Sequence, residues 1–347
     1  MNIEGKIIKN FGKPFIIAEA GLNHNGDLKT AIKMIEVAKK SGVSAIKFQT
    51  FKAKEFVSNK DQLFTYKSNG KEITESMLEM FSRYELKYDD WDIIKKKCNE
   101  LDIMFLSTPQ NYSDLKILLE VGVSIIKVGS DDLTNIPLIR KYRQTNIPII
   151  LSSGMANLSE IYKGIEAAGY FDGNKVAVLL CTSQYPTKPS NVNLNKLDTL
   201  RNAFPNLVIG FSDHTQGSLA SSLAVSKGAA IFEKHFTLNN NFEGPDHWFS
   251  ENPKSLKVWV DSINTAYEML GFHEFIPTKD ENNIRIEARR SLCAIKSIKS
   301  GDIFNESNLD LRRPGNGIQP ELLNVFIGKK SKNDIDSGKL VKWDDII

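Results

Sequence analysis

Eight times along the chain, a short apolar run ends in a polar cluster and gives way to a segment with helical periodicity. The apolar runs fall at 15–18, 45–48, 104–106, 125–128, 149–151, 176–180, 208–211 and 229–232. The helical patterns follow at 28–40, 91–100, 114–119, 136–142, 158–168, 194–203, 218–227 and 255–270. Uninterrupted apolar runs suit strands buried on both faces, which is the state of a parallel sheet. Eight β-then-α units in a row therefore predict a (β/α)8 TIM barrel. The competing doubly wound sheet would carry a glycine-rich phosphate turn after its first strand. Here that turn reads Glu19-Ala20-Gly21-Leu22-Asn23-His24-Asn25-Gly26 and lacks the GxGxxG spacing. Polar residues close every strand, so the chemistry is expected at the C-terminal rim of the barrel.

The sharpest unit is 207–236, LVIGFSDHTQGSLASSLAVSKGAAIFEKHF. Both of its strands end in a histidine, and neighbouring parallel strands would set His214 and His235 side by side. Imidazoles held by rigid elements, with coordination positions left open, suit a divalent metal that accepts oxygen ligands. Mn²⁺ is the expected ion, with Mg²⁺ or Co²⁺ as substitutes, and Asp213, Glu233 and Asp246 are candidates to ligate it or to support its ligands from behind. Lys47 and Lys127 end the second and fourth strands. An ammonium in a barrel strand needs an anionic partner. With the hydroxyls of Ser130, Ser152, Ser183 and Ser212, the two lysines would cradle phosphate and carboxylate groups. A structural pairing with Glu19 or Glu233, or a Schiff-base role for one lysine, are the other readings. Glu19 is a candidate acid or base. Cys181 reads as a packing residue without a partner. Arg312 and Arg313 sit in what reads as a basic surface loop.

The totals exclude several classes. A net charge of +3 on 347 residues gives no basis for nucleic-acid or membrane-surface binding. Cys98, Cys181 and Cys293 are few, odd in number and widely spaced, which fits a reducing compartment. No apolar run near the N-terminus is long enough for a signal peptide or a membrane span, so a cytoplasmic location is expected. The barrel is assigned to 1–271, a linker to 272–285 and a small domain to 286–347. A polar stretch at 51–88 interrupts the pattern and reads as an insertion over the barrel mouth, with a helix near 75–83.

Ten motifs then occur in order: AEAGLNHNGD (18–27), IKFQTFK (46–52), LSTP (106–109), IKVGS (126–130), LSSGMA (151–156), CTSQYPT (181–187), GFSDHT (210–215), FEKHFTL (232–238), GPDHWFS (244–250) and RRPGNGI (312–318). Together they resemble the bacterial sialic acid synthase family, which includes N-acetylneuraminate, legionaminate and pseudaminate synthases. The resemblance implies a TIM barrel followed by a small antifreeze-like (SAF) domain, in a domain-swapped homodimer. It implies condensation of phosphoenolpyruvate with the open-chain aldehyde of an N-acylated amino sugar, such as N-acetylmannosamine or 2,4-diacetamido-2,4,6-trideoxymannose. By the same resemblance, His214 and His235 are similar to the metal ligands. Lys47, Lys127, Ser130, Ser183 and Ser212 look like phosphoenolpyruvate contacts, with Thr108 and Ser152 near its carboxylate. Gln49, Tyr185, Glu233 and Asp246 look like groups contacting the sugar or metal-bound water; Glu19 is similar to the family's acid/base, and Glu233 and Asp246 join it as the expected catalytic carboxylates. Arg313 resembles the arginine that reaches from the partner's tail to the acyl group. A phosphoenolpyruvate-condensing barrel that makes an eight- or seven-carbon keto-acid phosphate, or a carbohydrate- or ice-binding protein, are the alternatives.

Overall fold

In the computed structural model, which describes residues 1–59 and 61–347, the chain divides into two compact units, Met1–Gly271 and Phe272–Ile347. The first is a closed parallel barrel. Its strands are β1 (Phe15–Gly21), β2 (Ala45–Thr50), β3 (Met104–Pro109), β4 (Ile126–Val128), β5 (Ile149–Ser152), β6 (Val176–Cys181), β7 (Val208–Ser212) and β8 (Ile231–His235). They pair in chain order, and β8 pairs with β1 to close the ring. The matching helices are α1 (Leu28–Ser41), α2 (Tyr88–Glu100), α3 (Tyr112–Glu120), α4 (Ile136–Arg143), α5 (Leu158–Ala167), α6 (Lys196–Ala203), α7 (Leu219–Ser226) and α8 (Pro253–Leu270). Every expected unit is present. Most strands run one to three residues beyond their apolar stretch, so the polar clusters are strand ends rather than loops.

Alternation along each strand makes two cores. Outward residues such as Ile46, Phe105, Phe211 and Phe232 join the helices in the main apolar cluster. Inward residues of the lower half, including Ile17, Leu106, Ile150 and Leu179, fill the barrel floor. A small N-terminal hairpin, Asn2–Ile3 with Lys6–Ile7, adds Ile3 and Ile8 to that floor. Two-residue strands carry no periodicity, so nothing in the sequence announces this hairpin. Above the floor the inward positions turn polar, and the site begins there.

The insertion differs from expectation. Besides the helix, found at Met77–Tyr84, it contains an antiparallel hairpin, Leu63–Ser68 with Lys71–Ser76. The turn is Asn69-Gly70, both residues at positive φ (49° and 77°), a pairing strongly favoured in tight hairpins.

The second unit has its own small core, built from Leu292, Phe304, Leu309, Phe326, Ile335 and Val341. Strands Ser291–Ala294 and Leu309–Arg312 pair antiparallel within it. Part of the expected linker is helical, at Lys279–Ala288, opened by a Thr278/Glu281 capping box. This helix buries no residue of its own, so it lacked the apolar stripe by which helices are read. Among the described residues, no helix is long and apolar enough to cross a membrane.

Candidate active site

Register brings the strand ends together. Glu19 lies opposite Lys47 on β2 and opposite His235 on β8, while Ser212 lies opposite Glu233. Four charged side chains are thereby enclosed: Lys47 is 4% exposed, Lys127 2%, Glu19 1% and Glu233 5%. Lys47 Nζ sits 2.9 Å from Glu19 and 3.8 Å from Glu233, and Lys127 Nζ lies 3.8 Å from Glu233. Burial alone would expel such charges. Burial would raise Glu233, but the ammonium groups of Lys127 and Lys47 outweigh it and hold the carboxyl below its usual range. Burial raises Glu19 despite Lys47. Burial lowers Lys127, whereas Glu19 and Glu233 hold Lys47 above its usual value against the same burial.

Hydroxyls ring the two lysines. Lys127 Nζ donates to Ser152 Oγ at 2.6 Å, and Lys47 Nζ to Thr108 Oγ1 at 3.3 Å. The Gly154 N–H donates to Ser130 Oγ. A Cβ on Gly154 would lie 2.3 Å from Ser183 Oγ and 2.5 Å from Ser130 Oγ, so only glycine lets those hydroxyls converge. Ser183 Oγ is buried without a hydrogen-bond partner. Gln49 donates its amide to Glu19 at 3.3 Å, and Ser212 Oγ to Glu233 at 3.3 Å.

The rings of His214 and His235 lie 5.5 Å apart between centroids. Nδ1 of His214 donates to the Thr182 carbonyl at 2.9 Å, and Nε2 lies 3.5 Å from Ser212 Oγ; burial would lower this imidazole, but contacts with Cys181, Thr182 and Glu233 hold it above its usual value. His235 Nδ1 is buried without a hydrogen bond, 3.8 Å from Asp246. Burial and the His214, Lys47 and Lys127 charges hold His235 well below the usual imidazole range, so its ring is neutral. The neutral His235 ring and the neighbouring His214 imidazole, beside the carboxylates of Glu19 and Glu233, suit a divalent cation. Among the described residues, no three or more His, Cys, Asp and Glu side chains gather closely enough to hold one by themselves. Any such ion would therefore draw ligands from substrate or solvent. A Cβ on Gly21, whose φ is +52°, would lie 3.4 Å from Glu19 Oε1, 3.4 Å from His235 Nδ1 and 3.5 Å from Asp246 Oδ2. Those three groups converge on one point. Asp246 is pushed up to about 7, first by its enclosure and then by Glu19.

The carboxylate, lysine, hydroxyl and imidazole side chains described above line one cavity of about 630 Å³, a volume that holds a small organic ligand. Its other wall is aromatic. Phe56, Phe64, Tyr66, Met80 and Phe81 come from the insertion, and Trp248 and Phe249 from the segment after β8. Tyr185 stacks on His214 at 4.2 Å and meets Phe249 at 5.1 Å.

Residues 34–275 match the NeuB family, and residues 289–347 match the SAF domain. The chain is 40% identical over 336 residues to an N,N'-diacetyllegionaminic acid synthase of Campylobacter jejuni, covering 95% of this chain and 99% of that one. It is 36% identical to the enzyme of the same name from Legionella pneumophila, covering 96% and 94%. This chain belongs to the NeuB family. The N-acetylneuraminic acid (sialic acid) synthetase of Leptospira borgpetersenii, solved with citrate, is a similar structure at 31% identity. Its TM-score is 0.73, and the match covers 82% of this chain and 94% of that one. The protein is thus a synthase-type NeuB barrel with a C-terminal SAF domain, and the resemblance seen in the sequence holds.

Of the residues nominated from sequence, this NeuB barrel gathers Glu19, Lys47, Gln49, Thr108, Lys127, Ser130, Ser152, Ser183, Tyr185, Ser212, His214, Glu233, His235 and Asp246 around one cavity. Arg313 lies on the second unit, in the exposed loop after strand Leu309–Arg312. Two nominations need correction. Asp213 does not face the cavity, because alternation turns it to the outer side of the barrel, where it pairs with Lys234 at 3.0 Å. Cys181 has a partner after all: it lines the cavity with Sγ 3.9 Å from His214 Nδ1. Sequence reasoning missed Gln110, Asp131, Gln184 and the aromatic wall. The wall was within reach, since Asn69-Gly70 between two alternating runs signals a hairpin and Ser76 with Glu79 signals the helix start.

Proposed function

We propose that this NeuB-family protein condenses phosphoenolpyruvate with the open-chain aldehyde of an N-acylated amino sugar, giving a nine-carbon 2-keto acid and phosphate. The observation that carries the reading is the pair of buried lysines, Lys47 and Lys127, beside the His214 and His235 imidazoles in one cavity. The lysines, with Ser130, Ser152, Ser183, Ser212 and Thr108, would hold the phosphate and carboxylate of phosphoenolpyruvate and orient its C3 toward the acceptor. His214 and His235 would hold a divalent ion, Mn²⁺ being the simplest choice for two imidazoles with oxygen ligands. When bound, such an ion polarises a carbonyl oxygen as a Lewis acid. Attack by C3 forms the new C–C bond and leaves C2 short of electrons. Asp246, protonated near neutral pH, would give its proton to the former aldehyde oxygen. Glu19 would take a proton from the water that adds to C2. Collapse of that adduct breaks the C–O bond to phosphate, whose charge Lys47 and Lys127 stabilise. Gln49 and Tyr185 would contact the sugar.

Arg313 would reach the acyl group from a second copy of the chain in a domain-swapped homodimer. The exposure of Phe272, Phe275 and Ile276 supports a covering partner for the second unit. The phosphoenolpyruvate chemistry and the three free thiols support a cytoplasmic setting.

The test is phosphate release from phosphoenolpyruvate with N-acetylmannosamine and with its 2,4-diacetamido-6-deoxy analogue, with and without Mn²⁺. Release that depends on one of these acceptors is expected. No release with any N-acylated amino sugar would sink the proposal.

A further inference from the structure

β7 ends at Ser212, so His214 lies two residues beyond the last strand position. Only one further ladder bond, from the Asp213 N–H to the Glu233 carbonyl at 2.8 Å, continues the pairing with β8. What then fixes His214 beside His235? The register answers: Ser212 faces Glu233, so the next positions set Asp213 against Lys234, and the ones after set His214 against His235. Successive side chains alternate faces. The imidazole pair is thus on the inner face, and an ion pair is one residue behind it on the outer face.

That outer pair is fully enclosed, with Asp213 0% and Lys234 2% exposed. Asp213 Oδ1 accepts from Thr215 N at 2.8 Å and Thr215 Oγ1 at 2.7 Å, and Oδ2 accepts from Ser221 Oγ at 2.6 Å. Trp259 Nε1 on α8 donates to the same Ser221 at 2.9 Å. Lys234 Nζ donates to the carbonyls of Thr215 at 2.5 Å and Gly217 at 3.0 Å, and lies 3.6 Å from Glu251. The Glu251 N–H in turn donates to the His235 carbonyl at 2.9 Å. Both backbone segments that carry the imidazoles are therefore tied to the ion pair.

A buried ion pair is a poor source of stability, since well-packed apolar residues often do as well or better, and its best-attested use is to fix register. We infer that Asp213 and Lys234 are positioning residues that set the spacing and orientation of His214 and His235 for metal binding. The inference rests on the metal reading above. It concerns how the two rings are held, not which step they serve.

The experiment uses the full-length, metal-free protein and follows Mn²⁺ binding by electron paramagnetic resonance, with thermal unfolding of the same samples. In Asp213→Asn/Lys234→Met, both charges of the pair go together, and only Glu251, 3.6 Å from Lys234, loses an ammonium neighbour. The expected result is an unfolding midpoint within about 5 °C of wild type and a Mn²⁺ dissociation constant raised about 10–100-fold. Ser221→Ala, a gentler change that removes one hydrogen bond to Asp213, should raise it about 3-fold and keeps the test alive if the double variant does not fold. Unchanged Mn²⁺ affinity in whichever of the two folds overturns the inference while leaving the metal reading intact. Wild-type protein that takes up no Mn²⁺ overturns both.

Discussion

The two walls of the cavity are made in different ways. One is the barrel rim, where each side chain is set by a strand register and held by ion pairs with barely any exposure. The other is the insertion, a hairpin and a short helix joined by a bidentate Arg83–Glu75 pair and a Tyr66–Glu75 hydrogen bond of 2.7 Å. Its contacts with the barrel unit are mostly apolar, through Leu22, Phe51, Met80 and Tyr84. Lys67 over the Trp248 ring at 5.1 Å and Ser68 accepting from Gly244 N–H add polar anchors. The contrast separates two tasks. A rigid charged rim suits bond-making, where small displacements are costly. An aromatic wall on a replaceable segment suits discrimination among acceptors, where apolar contacts change affinity by modest factors.

This division can be tested from the rim outward. Lys127→Ala should lower phosphate release by about 10²–10³-fold at saturating acceptor, because phosphate would lose a buried counter-charge; a loss under tenfold would remove the lysines from the chemistry. Exhaustive chelation, or His235→Ala, should abolish detectable turnover, with Mn²⁺ restoring only the chelated wild type; activity that survives chelation would end the two-imidazole assignment. On the other wall, Phe81→Ala should raise KM for the acceptor about 10-fold and leave KM for phosphoenolpyruvate unchanged. Equal effects on both substrates would erase the proposed division. Arg313→Ala should likewise weaken the acceptor more than phosphoenolpyruvate, as steady-state kinetics with each substrate varied in turn would reveal.

The smallest effect concerns acid. Hydrogen bonding from Arg83 holds Glu75 below the usual carboxylate range. The staple's contribution is therefore present above the unfolded carboxyl value of about 4.3 and is lost as pH falls through the lower folded value. Hydrogen exchange in 63–84 should accelerate in that acidic window, ahead of the barrel strands. Simultaneous loss of protection in both regions would mean that insertion and rim unfold as one.

The rim was far more legible in the sequence than the wall. Buried parallel strands announce themselves as apolar runs, and a lysine or histidine closing such a run stands out chemically. Lys47, Lys127, His214 and His235 could therefore be named from position alone. Asp213 is no ligand, because adjacency to His214 in the chain is opposition across a strand, and only its supporting alternative stays open. The partner of Cys181 is not visible in the sequence, because His214 comes from the neighbouring strand's end. The wall was hidden for another reason: Phe56 and Phe81, in ring contact at 4.9 Å, and Phe64 on the hairpin share no single periodicity and line one cavity only in the folded insertion. The helix Lys279–Ala288 escaped notice because nearly all of it faces solvent.

The closed floor has a kinetic consequence. Ile3, Ile8 and the lower inward side chains plug the barrel from below, so the mouth is both entrance and exit. On the proposed chemistry, phosphate is left at the deep lysines with the larger keto acid above it. Departure should then be sequential, the bulky sugar acid ahead of the inorganic ion, and a lingering anion would delay the next turnover.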